Sequence, residues 1–294
     1  MKLNSYCMSC QIRRQEQKIR HFEDAGKKTF YMKEICRLMA DADEEACAPS
    51  LSASFRKLYR EVWHEPPEDY SAVNREYNQL VMDLLPTLEK RIRASEDPLM
   101  DALVYARIGN YIDFSALPDV SKDVLLSLID AEEKEPLEPF EYSRFLQELS
   151  RASSLVYLTD NCGEIVLDSL VIRLLKERFP DLSITVVVRG TPVANDAAIG
   201  DAVFCGLDRL ARVIGNGSDI AGTHLPSVSD ETRALLSGAD IILSKGQGNF
   251  ETLNGCGLNI YYLFLCKCEL FQRRFHAKPL QGMFLNEKRT GEVD

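Results

Sequence analysis

The rhythm of apolar residues changes once along this chain, near residue 151, and that change limits the fold more than any other feature. From residue 6 to about 149, apolar positions recur every three or four residues, as in Ile35, Leu38 and Met39 or Leu80, Leu84 and Leu85. This is the pattern of helices with one face turned inward. After Arg151, short apolar or β-branched runs at 155–158, 184–188, 211–214 and 240–243 are separated by segments of helical length. Such alternation predicts βαβ units and a parallel sheet. Residues 165–179 supply the first crossover, with Ile165, Leu167, Leu170, Val171, Leu174 and Leu175 on a broad apolar face, before Pro180 and Asp181 turn the chain back. A fifth run at 260–266 reads as a buried strand and 280–285 as an edge strand. The expected fold is α/β, with a parallel-type sheet and flanking helices in 151–294 packed against an all-helical domain in 1–150. Pro66, Pro67 and Glu68 break one helix of the first half, and residues 133–139, with Pro136 and Pro139, mark a boundary near its end.

Charge narrows the partners. The 294 residues carry 45 acidic against 35 basic side chains, a formal charge of -10. Such a chain repels a phosphodiester backbone unless basic residues are concentrated locally, and no basic run exceeds the pairs Arg13, Arg14 and Arg273, Arg274. Nucleic acid is therefore not an expected partner. No apolar stretch approaches the ~20 residues that span a bilayer, and the first residues lack the apolar core of a signal peptide. The expectation is a soluble, cytoplasmic protein with no membrane partner; oligomeric state is not legible.

Three strand ends carry polar residues that converge if the sheet is parallel. The first gives Asp160 and Asn161, followed by Glu164. The second gives Arg189, Gly190, Asn195 and Asp196, and the fourth gives Ser244, Lys245, Gly246, Gln247, Gly248 and Asn249. Two carboxylates and a carboxamide form a hard-oxygen set suited to a divalent cation. A lysine in a glycine-rich turn offers a compact positive charge to a phosphoryl oxygen. Taken singly, each piece has an ordinary explanation: Asp and Asn after a strand cap helices, Glu164 suits a first helical turn, and Lys245 suits a solvated surface. Their coincidence at successive strand ends points to metal-assisted phosphoryl chemistry.

Other motifs fail residue by residue. No stretch fits the G-x-x-x-x-G-K-[ST] phosphate loop or the G-x-S-x-G nucleophile elbow. Asp41 and Asp43 have the spacing of a phosphatase nucleophile pair but follow no strand. Gly215, Asn216 and Gly217 begin a dinucleotide-type turn without its third glycine. His21, His64, His224 and His276 are scattered. Of nine cysteines, Cys7 and Cys10 form a CxxC that suits half of a zinc site or a redox pair, with Cys36 and Cys47 as the remaining candidate ligands.

The stretches Asp160-Asn161-Cys162-Gly163-Glu164, 188–197 and 244–251 together resemble the damage-control phosphatases, the metal-dependent domain of unknown function 89. Residues 106–114 match in the helical half, and Cys7/Cys10 resemble the microbial branch with an amino-terminal CxxC. The resemblance implies a helical domain on an α/β domain, a divalent cation (Mn, Mg, Co or Ni) in the cleft, and hydrolysis of phosphate monoesters of small phosphorylated metabolites. It implies Asp160, Asn161 and Asp196 as metal ligands, and Lys245 as the group holding the phosphoryl. It also places Asn110 and Asp113 along the cleft to position substrate or a metal-bound water, Glu164 where it orients the ligands and Arg189 where it helps neutralise the phosphate, counts these four and Gly246 as substrate-binding, and leaves Asp160 as either nucleophile or ligand. Two alternatives stay open at this point. One is a methyltransferase using S-adenosylmethionine around Gly215–Gly217; the other is a non-catalytic module that binds a phosphometabolite or a partner protein.

Overall fold

The computed structural model describes residues 1–66, 68–114, 117, 120–131 and 134–290. Among these, seven helices precede the first strand: α1 (Ser5–Ile19), α2 (Ala25–Ala40), α3 (Ala48–Trp63), α4 (Ser71–Arg93), α5 (Pro98–Gly109), α6 (Lys122–Asp130) and α7 (Pro139–Leu149). Their starts follow from the sequence. Asn4, Asp24 and Asp97 accept first-turn N–H groups through their side chains, and Pro98 and Pro139 open helices where no N–H is needed. Pro66 falls between α3 and α4 as expected, whereas Pro67 and Glu133 lie outside the described residues.

Strands and helices then alternate: β1 (Ser154–Leu158), α8 (Glu164–Arg178), β2 (Ser183–Val188), α9 (Ile199–Phe204), β3 (Arg212–Gly215), α10 (Asp230–Gly238), β4 (Ile241–Lys245), α11 (Gln247–Leu253), β5 (Ile260–Leu265), α12 (Glu269–Arg274) and β6 (Gly282–Asn286). The sheet order is β3-β2-β1-β4-β5-β6, parallel throughout except for the antiparallel edge strand β6. The order reverses between β1 and β4. At such a switch point the loops leave the two strands in opposite directions and a crevice opens beyond their carboxyl ends.

Residue parity sorts the sheet between two cores. Leu155, Tyr157, Ile241, Leu243 and Tyr261 face a core shared with α4, α5, α7 and α8, whereas Val156, Leu158, Ile242, Tyr262 and Phe264 face Phe250 of α11 and Phe271 of α12. Helices α1 to α3 keep a third core of their own, built on Tyr31, Ile35, Phe55, Tyr59 and Trp63. Helix α5 lies close on α8 because Gly109 has no side chain: a Cβ there would come 3.1 Å from the Glu164 Cα. That approach carries Asn110, the residue after α5, to the mouth of the switch point.

Candidate active site

The loop after β1 is laced to the loop after β2 by main-chain bonds. Ala197 N donates to Asp160 O at 2.7 Å, Cys162 N donates to Asn195 O at 2.8 Å, and Asn161 and Asp196 form an isolated antiparallel bridge. Two carboxylates distant in sequence are thereby set side by side, and both bind one guanidinium. Arg189 donates from Nε to Asp196 Oδ2 at 2.5 Å and from Nη2 to Asp160 Oδ1 at 3.3 Å. Its Nη1 is buried and has no partner among the described residues.

The rest of the shell is carboxamide and carboxylate. Asn110 donates from Nδ2 to Asp160 Oδ2 at 2.9 Å and to Glu164 Oε2 at 3.0 Å, and its Oδ1 accepts from Leu265 N. Asn161 donates from Nδ2 to the same two oxygens, at 2.8 and 3.1 Å. With its amide protons directed there, its Oδ1 is left for another partner. Burial, then the charges of Glu164 and Asp196, push the Asp160 carboxyl well above the usual range. Asp196 is also raised by burial, against the pull of Arg189.

Lys245 departs from its expected place. It is the last residue of β4 rather than part of the turn, and strand parity points it, with Ile241 and Leu243, at α8. Fully buried, its Nζ donates to Glu164 Oε1 at 2.6 Å, Asp168 Oδ1 at 2.8 Å and Ala106 O at 3.1 Å, which uses all three protons. No proton of this ammonium is left over for a phosphoryl group, the role expected of it. The lysine on the β5 side is Lys267, which sequence reasoning missed; its buried Nζ donates to Asp113 Oδ2 at 2.7 Å. Asp168 was missed as well. Gly246 does stand beside Asp160. Asn195 and Asn249 tie loops together, through Ile112 O and through Thr159 O and Lys245 O respectively.

The donor set fits a cation. At this edge, among the described residues, the buried carboxyls of Asp113, Asp160, Glu164, Asp168 and Asp196 share three cationic side chains, Arg189, Lys245 and Lys267, an excess of acid that one divalent ion would offset. Among the described residues, no three His, Cys, Asp or Glu side chains gather as a metal-holding group; the residues that could hold a cation are Asp160 and Asp196 with the Asn161 carboxamide. Cys7 and Cys10 are free thiols on α1, half-buried and exposed, and Cys36 and Cys47 form no such cluster with them. The Gly215–Gly217 turn closes against Gly190 instead of opening a helix. A Cβ at Gly190 would sit 2.4 Å from Gly217 N, and the next helix starts only at Asp230. No helix amino-terminus follows this turn directly, and it is here that the methyltransferase alternative places its cofactor.

An open, mainly parallel sheet with acidic and basic groups gathered at its switch point is the framework of an α/β enzyme. The model of the damage-control phosphatase ARMT1-like domain matches residues 3–279. A damage-control phosphatase of Archaeoglobus fulgidus is 33% identical over 217 residues, 73% of each chain. One from Pyrococcus horikoshii is 30% identical over 279 residues, 93% of this chain and 94% of the relative. The crystal structure of a DUF89 family protein from Pyrococcus horikoshii superposes with a TM-score of 0.79 at 25% identity, covering 98% of this chain and 99% of the other. The chain belongs to the damage-control phosphatase ARMT1-like family. It is a phosphatase of small phosphorylated metabolites in a family that is in general metal-dependent, and the methyltransferase alternative finds no support among these relatives. No helix among the described residues is long and apolar enough to cross a membrane.

Proposed function

We propose that Asp160, Asn161 and Asp196 hold a divalent cation (Mn, Mg, Co or Ni) and that the chain hydrolyses phosphate monoesters at that ion. The observation that carries this reading is the convergence of Asp160 and Asp196 on one edge of Arg189, within a buried cluster where, among the described residues, five carboxyl groups share three cationic side chains. Bound there, the ion supplies Lewis-acid polarisation of a phosphoryl oxygen. The protein's own groups do the rest. Arg189 keeps both aspartates aligned and donates from its unpartnered Nη1 to a phosphoryl oxygen, a charge-assisted bond that strengthens as charge develops. Asn110 and Glu164 hold Asp160 and Asn161 in orientation. Lys267, paired with Asp113, adds positive charge within electrostatic reach of Asp160, the role first expected of Lys245.

Nine free cysteines suit a reducing compartment, and we place the enzyme in the cytoplasm. The test is phosphate release from an aryl phosphate with each of the four metals in turn. Asp160→Ala and Asp196→Ala are expected to lose metal-dependent turnover while keeping the fold. Unchanged turnover in either variant removes the assigned ligand set. A screen of sugar phosphates, nucleotides and cofactor phosphates then identifies the substrate.

A further inference from the structure

Behind Glu164, beneath the cation-facing side chains, lies a second row of charge whose members Lys245, Asp168 and Tyr157 the proposed chemistry does not use. Glu164 and Asp168 stand one turn apart on α8, both fully buried, a like-charge spacing that costs stability on its own. Lys245 bridges them, at 2.6 Å to Glu164 Oε1 and 2.8 Å to Asp168 Oδ1. Tyr157 of β1 donates its hydroxyl to the same Asp168 Oδ1 at 2.6 Å. The other oxygen, Asp168 Oδ2, is buried without a hydrogen-bond partner among the described residues. A buried carboxylate with one oxygen unsatisfied is a poor device for stability, since an apolar side chain of similar volume would cost less. Its geometry has a different use. Glu164 Oε2, on the far side of the same carboxylate, accepts from Asn161 Nδ2 at 3.1 Å and Asn161 N at 3.3 Å. One hydrogen-bonded line therefore runs from Tyr157 through Asp168, Lys245 and Glu164 to the carboxamide of Asn161.

We propose that Asp168, held by Tyr157, is a positioning residue of the cation site: it aims the Lys245 ammonium at Glu164 and thereby keeps the Asn161 carboxamide oxygen turned towards the ion. Three acceptors of fixed direction, Asp168, Glu164 and the Ala106 carbonyl, leave the ammonium no rotational freedom. With Asp168 neutral, Lys245 keeps its charge partner in Glu164 while the anchor opposing it weakens to an uncharged acceptor, so Glu164 and the amide it orients are held less firmly. Groups that orient metal ligands typically change metal affinity ~10–100-fold when removed.

The inference rests on the cation reading above, and the measurement separates the two. Mn(II) binding is read by electron paramagnetic resonance on wild type, Asp168→Asn and Tyr157→Phe, with cooperative thermal unfolding in chelator as the check on folding. Asp168→Asn is expected to weaken Mn(II) binding about tenfold or more. Tyr157→Phe, which alters no charge, is expected to weaken it in the same direction by at least about threefold, a smaller step than the range for such groups. Wild-type affinity in whichever of these variants folds overturns the positioning role. Absence of Mn(II) binding in wild type overturns the cation reading itself.

Discussion

A Cβ added at Gly246 would lie 1.9 Å from Asp160 Oδ2, and the residue's φ of +83° is one that side chains resist. The glycine is the floor on which the Asp160 carboxylate rests. Gly246→Ala is therefore expected to displace that carboxylate and to remove metal-dependent turnover almost wholly, with a loss of stability of about 1–2 kcal/mol from backbone strain alone, measured by denaturant unfolding. Lys267 offers a second test. Replacing it by Met leaves Asp113 buried beside an uncharged chain, at a cost on the order of 3–5 kcal/mol. Combining it with Asp113→Leu should recover most of that stability but not phosphate release, which a double-mutant cycle on both readouts would show. The residue scale was only partly legible in the sequence. Asp160, Asn161 and Asp196 announce themselves by following strands. Lys245 looked like a turn residue because glycines follow it, although its parity with Ile241 and Leu243 was there to read. Lys267 sits between two cysteines after an apolar run, and nothing local marks it until β5 is placed beside Asp113.

The helices divide differently from the rhythm of the sequence. Helices α4 to α7 share an apolar core with the sheet through Val81, Leu103, Phe145 and Leu149, whereas α1 to α3 close on themselves, with Phe22 stacked on Trp63 at 3.8 Å between ring centroids. The period of three and four is identical in both sets, because amphipathic spacing reports that a face is buried and not against what. The alternation after residue 151, by contrast, named the parallel strands and the crossovers, since only a sheet needs short apolar runs at that spacing. Phe55, fully buried in the α1–α3 core, gives the distinction a measurement. Phe55→Ala is expected to cost about 3–5 kcal/mol. Hydrogen exchange should show α1 to α3 losing protection while β1, β2 and β4 keep theirs. Equal loss across the sheet strands would mean the two cores unfold as one.

For the whole molecule, the buried surplus of carboxylates sets how stability responds to pH. Burial pushes Asp168 from 3.8 up to about 6, against the opposing pull of Lys245. A carboxyl raised on folding binds its proton more tightly in the folded chain, so its contribution is complete below 3.8 and is lost as pH rises through about 6. Surface carboxylates such as Glu16, Glu177 and Asp240, lowered by Arg20, Arg93 and the Ser153 N–H respectively, act with the opposite sign, but their effect is complete by about pH 5. His224, lowered by partial burial, gains stability as pH rises through 6.5 and opposes Asp168 in the same window. The Asp168→Asn variant separates the two, since it keeps His224 and removes the carboxyl. In chelator, the midpoint of wild type relative to that of Asp168→Asn is expected to fall between about pH 4 and 6 and to level off above, read by thermal unfolding of both across the range. Adding Mn(II) to wild type at about a hundred times its dissociation constant should add about 2.7 kcal/mol to the folded state, because the ion binds a site that the unfolded chain lacks. In a chain of this length that is a rise of roughly 4 °C in Tm. A wild-type midpoint that tracks the variant at every pH would show that the Asp168 carboxyl ionises in the fold as it does in water.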